Sequence, residues 1–354
     1  MLKATGVPLA AYSYAPSSLL SIGVTGLIAR TARRTFSIGR SAAKLACIAG
    51  LASASSAGAQ LSIPMAQRAE INPIIRPEML NGTDGENIDG PSLIQAPKWL
   101  KAPLGRYYLY FAHHGGHYIR LAYSDSVKGR FTVYHAGTLR LEQLPWCDIM
   151  VASPDVHVDE VRHELRMYFH CHERSTNSMV TFVARSTDGI HFVPQREALA
   201  PGFVRVFQWH GEYYALAMPG VLYRSRDGLT GFVKGPTLFG SNMRHSAVAQ
   251  TGANDLWVLY SNVGEAPPEH ILMTRIRLIG DWMGWKAEPP QSLLEPQTTY
   301  EGVDFPLRPS VRGGKTNVRE LRDPALYHED KWYLFYSVAG ESGIALAELV
   351  DWRP

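Results

Sequence analysis

A run of aromatic and aliphatic residues bounded by polar turns recurs five times in this chain, and that recurrence limits what it can fold into. The runs are "RYYLYFAHH" (106–114), "LRMYFHCH" (165–172), "EYYALAMP" (212–219), "LWVLYSNV" (256–263) and "KWYLFYSV" (331–338). A second strand-like run follows each: "YIRLAYSDS", "MVTFVARSTDG", "GVLYRSRDG", "HILMTRIRL" and "GIALAELV". Another precedes each: "GPSLIQAP", "SPDVHVDE", "FVRVFQWHG", "HSAVAQTG" and "DPALYHED". Ser-x-Asp and Arg-Asp-Gly turns lead into short outer strands such as "GRFTVYHA" and "IHFVPQRE", as turn chemistry between β-branched and aromatic runs requires. The unit is a four-stranded antiparallel meander. One meander cannot bury both its faces, whereas five packed radially can. The expected fold is therefore all-β, a five-bladed β-propeller of four-stranded antiparallel blades spanning residues 60–354. A β-sandwich with irregular spacing is the competing architecture. The fifth copy lacks an outer strand, and "INPIIRPEML" (71–80) is expected to supply it and close the ring. The long connections 264–268 and 295–319 are expected to shape a pocket.

Of the 354 residues, 45% are hydrophobic and the formal charge is +3. This suits a sizeable core and gives no reason to expect nucleic acid or an anionic membrane as partner. Outside the N-terminal region no apolar run is long enough to span a bilayer. Residues 1–59 differ in character. Arg33, Arg34, Arg40 and Lys44 precede a small, apolar run that ends in Ala57-Gly58-Ala59, the organisation of a cleaved export signal. Arg33-Arg34-Thr35-Phe36 resembles a twin-arginine signal, and residues 1–30 extend upstream of one. The mature chain is then expected in the periplasm or secreted. Cys47 falls inside the signal, where Lys44 argues against lipid attachment. Cys147 and Cys171 remain, compatible with a disulfide or with two buried thiols.

In a propeller the first strand of each blade lines the axis, so residues at the five strand starts converge. Here those starts carry Asp89, Asp155 with His157, Arg205, Arg244 with His245, and Glu320, Arg322 and Asp323. A ring of carboxylates, arginines and histidines has the chemistry of glycoside hydrolysis. One carboxyl must hold a proton for the leaving oxygen while another stays ionised, and neighbouring charges drive the two pKa values apart. Trp146, Trp209 and Tyr300 are candidates to stack on sugar rings, and Asp159, Glu160, Glu329 and Asp330 are expected in solvated outer turns. His170 and His172 alternate onto one strand face, as metal ligands can, but no metal-binding spacing motif is present.

Five blades with Asp at the first inner strand, an acid in the second and Asp-Pro punctuation resemble glycoside hydrolase family 43 and its five-bladed relatives. The resemblance implies Asp89 as base, Asp155 as the tuning carboxylate and an oligo- or polysaccharide substrate. It implies no required cofactor, with a calcium or other divalent cation possible on the axis. The family's acid sits in the third blade in a Glu-Gly/Ala-Pro context, where this chain has Arg205. Glu320 and Glu301 are the substitutes. His157, His172, Arg205, Arg244, His245, Arg322 and Asp323 are the expected substrate contacts. Two alternatives stand beside a hydrolase: a polysaccharide lyase using His157, His172 or His245 with Arg205 or Arg244, and a non-catalytic sugar-binding propeller.

Overall fold

A computed structural model describes residues 63–354; the expected export signal lies outside the described residues. These form five antiparallel sheets and no α-helix. Each sheet is one blade. The inner strands are Asp89–Gln95, Cys147–Asp159, Val204–Trp209, Met243–Thr251 and Arg322–His328, and they stand side by side around an axis. The aromatic runs form the second strands, Tyr107–Ala112, Glu164–Glu173, Glu212–Ala217, Asp255–Asn262 and Trp332–Ser337. They are buried because blade faces pack on one another. Between the first two blades, for example, Tyr110, Phe169, Phe182 and Phe192 share one apolar cluster.

The ring closes on the fifth blade through an N-terminal outer strand, as expected, but by a different segment. Met65–Arg68 pairs antiparallel with Ile344–Val350, whereas residues 71–80 contribute a single bridge, Ile75 to Ile344. The closing strand has only four residues, alternately half-buried and exposed. Such an edge strand needs no apolar pattern, so none marks it in the sequence.

One local device repeats at the start of the inner strands. In the first, second, fourth and fifth blades the register slips by one residue, between Asp89 and Ser92, Ala152 and Asp155, Met243 and Ser246, and Arg322 and Ala325. Three of these bulges have the same form, a residue at positive φ followed by proline: Gly90 (57°), Ser153 (49°) and Asp323 (48°). Proline has no N–H to give to a ladder, and a bulge is where a strand tolerates it. Bulges also re-aim side chains, which is how successive residues of one strand reach the axis. Glycine accepts the left-handed backbone freely; Ser153 and Asp323 hold it under strain.

Cys147 and Cys171 form a disulfide, which resolves the two options left by the sequence. It ties the start of the second blade's inner strand to the neighbouring strand.

Candidate functional site

The strand starts build a buried ionic cluster around Arg322, whose side chain is fully buried. Its Nε donates to Glu320 at 2.9 Å and Nη2 contacts the same carboxylate. Nη1 donates to Glu341 at 3.0 Å and to the Gly313 carbonyl at 3.2 Å, while Glu269 lies 3.7 Å from Nε. Arg244 pairs with Glu269 at 3.3 Å and reaches the carbonyls of Val311 and Gly313. Ser261 donates to the other Glu269 oxygen at 2.7 Å. The connections expected to shape a pocket meet here: Gly264 N–H donates to Ser310 Oγ at 3.0 Å. Glu320 and Arg322 precede the buried run because a fully buried guanidinium needs carboxylates on several sides.

Asp89 stands in the same electrostatic neighbourhood. Burial, then the nearby Glu341, pushes its carboxyl up to about 8, against the pull of Arg120, Arg322 and Arg244. Arg244 and Arg322 thus face Glu269, Glu320 and Glu341, while Arg120 acts with Asp89 and Asp84. Burial also raises Glu320. Asp89, His114 and Glu341 each offer a ligand atom, all within 4.8 Å of one another. Two carboxylates and an imidazole are a donor set that suits a divalent ion. Asn87 Nδ2 donates to Glu341 at 2.6 Å and would orient it.

On the axis, Phe203 (φ 65°) places its ring 4.0 Å from His170 and 4.2 Å from His245, centroid to centroid. His245 also contacts the Asp323 carboxylate directly. Both ring nitrogens of His170 are buried without partners, and burial pushes its pKa down to about 3. His245 is likewise driven far down, first by burial and then by Arg244. Burial and the neighbouring cationic groups thus hold both imidazoles neutral.

Beyond the bulges, a cavity of about 700 Å³ runs between the inner strands, with Asp155, His157 and Arg205 in its wall. Asp155 accepts from His157 Nε2 at 2.9 Å and from the Val206 N–H at 2.8 Å. Burial alone would raise its pKa, but His157 and these bonds hold it below the usual range.

The expected site residues therefore fall into separate places. Asp89, Glu320, Arg244 and Arg322 gather in the ionic cluster, His245 and Asp323 sit at the axis, and Asp155, His157 and Arg205 line the cavity. Two residues do not join them. Glu301 is fully buried in a short 3₁₀ turn, where it binds Arg68 of the closing strand (2.7 Å), Tyr336 Oη (2.8 Å) and the Gln297 N–H (2.8 Å). It fastens the ring rather than facing a ligand. Accordingly, Glu301→Gln should lower unfolding stability by about 1–3 kcal/mol, read from urea denaturation, with any catalytic rate unchanged. His172 is spent on Asp148 at 2.5 Å. The aromatic candidates are taken up in packing: Trp146 against Phe182 of its own blade, Trp209 against His210 and against Trp285 of the fourth blade, and Tyr300 on the cluster between the fourth and fifth blades. Asp159, expected in solvent, instead pairs with buried Arg166 at 2.9 Å.

Sequence reasoning missed Glu269 and Glu341, which complete the cluster. Both lie in connections between second and third strands. The available signal was the one used for the inner strands, a lone charge immediately before a buried run, in "PPEHILM" and "GESGIAL".

No family model matches the chain. The uncharacterized protein R118 of Acanthamoeba polyphaga mimivirus is 34% identical over 302 residues, covering 74% of this chain and 83% of that protein. Among solved structures, a Bacteroides ovatus protein superposes with a TM-score of 0.59 at 13% identity, covering 82% of this chain and 97% of that one. The GH43_1 enzyme from Xanthomonas citri, solved with xylose, superposes with a TM-score of 0.52 at 11% identity, covering 74% and 87%; it has also been solved with xylotriose. The five-bladed propeller is thus the fold of family 43 glycoside hydrolases. Among the described residues, no helix is long and apolar enough to cross a membrane.

Proposed function

We propose, for a chain that belongs to one family with the mimivirus protein R118, that it hydrolyses glycosidic bonds at the end of the propeller where the inner strands begin. The observation that carries this reading is the pair Asp89 and Glu341. Their oxygens lie within 4.8 Å, Asp89 keeps a proton near neutral pH, and Glu341 is ion-paired to Arg322. Glycoside hydrolysis needs such a division of labour between two carboxyl groups. Asp89, expected from the family resemblance to be the base, is better suited to protonate the leaving oxygen. Glu341 stands as the carboxylate partner, held by Arg322 and Asn87. Asp155 belongs to the adjoining cavity and orients His157.

The xylose and xylotriose bound by the Xanthomonas citri enzyme support pentose oligosaccharides as the substrate class. Arg33-Arg34 and Ala57-Gly58-Ala59 support export to the periplasm or medium. The chemistry requires no cofactor; a divalent cation, if bound, would take Asp89, His114 and Glu341 as ligands. Phe203, placed on the axis at the start of the blade where the family has its acid, favours a second reading, a sugar-binding propeller without catalysis. Incubating the mature chain with xylo- and arabino-oligosaccharides and following products by chromatography separates the two. New reducing ends support hydrolysis, whereas saturable binding without cleavage would sink it.

A further inference from the structure

Among the described residues, three of the five buried arginines have carboxylate partners. Arg166 pairs with Glu164 and Asp159, Arg244 with Glu269, and Arg322 with three glutamates. Arg205 differs. It is 6% exposed, and of its guanidinium only Nη1 is engaged, donating to the carbonyls of Pro154 (3.3 Å) and Val204 (3.2 Å). Asp155, the carboxylate that acts on it electrostatically, is committed to His157 Nε2 and the Val206 N–H. Among the described residues, no carboxylate comes within the 4.0 Å of an ion pair with Arg205. A desolvated, unpaired charge is costly. This one lies in the wall of a cavity of about 700 Å³, a volume that admits a sugar-sized molecule.

The rest of the wall says what kind of molecule fits. Lys98, His157, Tyr327 and His328 line the cavity together with the carboxylates of Asp155 and Glu160, and Val206 and Ala247 supply apolar surface. A guanidinium fork is shaped for a carboxylate, and the hydroxyl and imidazoles around it can bond sugar hydroxyls. We propose that this cavity is a binding site for a small carboxylate-bearing sugar, a uronic acid or a close relative, with Arg205 as its anchor. The site is separate from the Asp89–Glu341 pair and does not depend on the hydrolase reading.

Isothermal titration of D-glucuronate into the full chain tests this, with D-glucose and sodium sulfate as parallel titrants. One saturable glucuronate site is expected, weakened about tenfold or more in Arg205→Gln and less in Arg205→Lys. Glucose and sulfate should each bind at least about tenfold more weakly than glucuronate. Without ligand, Arg205→Gln should unfold at a temperature no lower than the parent, because it removes an unpaired buried charge. Asp89→Asn, which removes hydrolysis under the reading above, should leave the titration unchanged, so the two ideas fail separately. Glucuronate affinity retained in a folded Arg205→Gln chain overturns the proposal. So does sulfate binding as tightly as glucuronate, the mark of a bare anion site.

Discussion

Asp89→Asn is expected to abolish hydrolysis and, at alkaline pH, to make the protein more stable. The loss of rate follows from removing the proton donor, an effect of about 10²–10⁴-fold. The gain in stability follows from the same burial that makes Asp89 useful. Its folded pKa, about 8, lies above the ordinary value of roughly 3.9. Below about pH 4 both states hold the proton and the group contributes no pH dependence. Between about pH 4 and 8 the unfolded chain releases a proton that the folded chain keeps, so stability falls as pH rises, by at most about 1.4 kcal/mol per unit. Above about 8 the effect is constant. Asparagine has nearly the shape of the protonated acid and lacks this slope. Urea denaturation of both chains at pH 5 and pH 8 reads the difference, which should favour the variant and widen with pH. A variant that loses stability equally at both values, or retains hydrolysis, would show that Asp89 is neither a strained buried acid nor the donor.

A functional group that weakens the fold leaves no mark in the pattern of apolar residues, and this explains which parts were legible. The blades were readable because their second strands are buried on both faces. "YYLYFA" and "WYLFYS" can be little else. The polar starts of the inner strands were readable because charge directly before a buried run requires a reason. Position within the site was less so. Asp155 and Asp89 both follow from that rule, yet Asp89 precedes the bulge of its blade and Asp155 follows the bulge of its own, which leaves one among arginines and the other in a cavity. Glu301 obeys a rule that no local stretch contains, since its partner Arg68 is 233 residues away. Glu269 and Glu341 sit in connections whose inward turn depends on the blades behind them. Phe203 had no signal at all, since nothing in the local sequence marks the positive φ it adopts or its ring contacts with His170 and His245.

The ionic cluster should be the most fragile element of the molecule, and Arg322→Met exposes it. Methionine fills a comparable volume, so the change removes charge more than packing. Glu269, Glu320 and Glu341 would then share Arg244 alone, in surroundings where Glu269 and Glu341 are fully buried. Breaking a buried ion pair from one side costs about 3–5 kcal/mol, a large share of the stability of an ordinary domain. The penalty also has a direction in pH. Without Arg322, which pulls against burial, Glu320 keeps its proton to still higher pH in the folded state than in the unfolded one, so the variant should be least stable at neutral pH and recover as pH falls toward about 4–5. Replacing Glu341 as well, in an Arg322→Met/Glu341→Met chain, should restore part of the loss, because the two changes remove partners of one network and cannot be additive. Chemical denaturation of the single and double variants at pH 5 and 7.5 measures all of these. A loss below about 1 kcal/mol in the single variant, with no pH dependence, would mean that the arginine is dispensable and that the carboxylates are solvated after all.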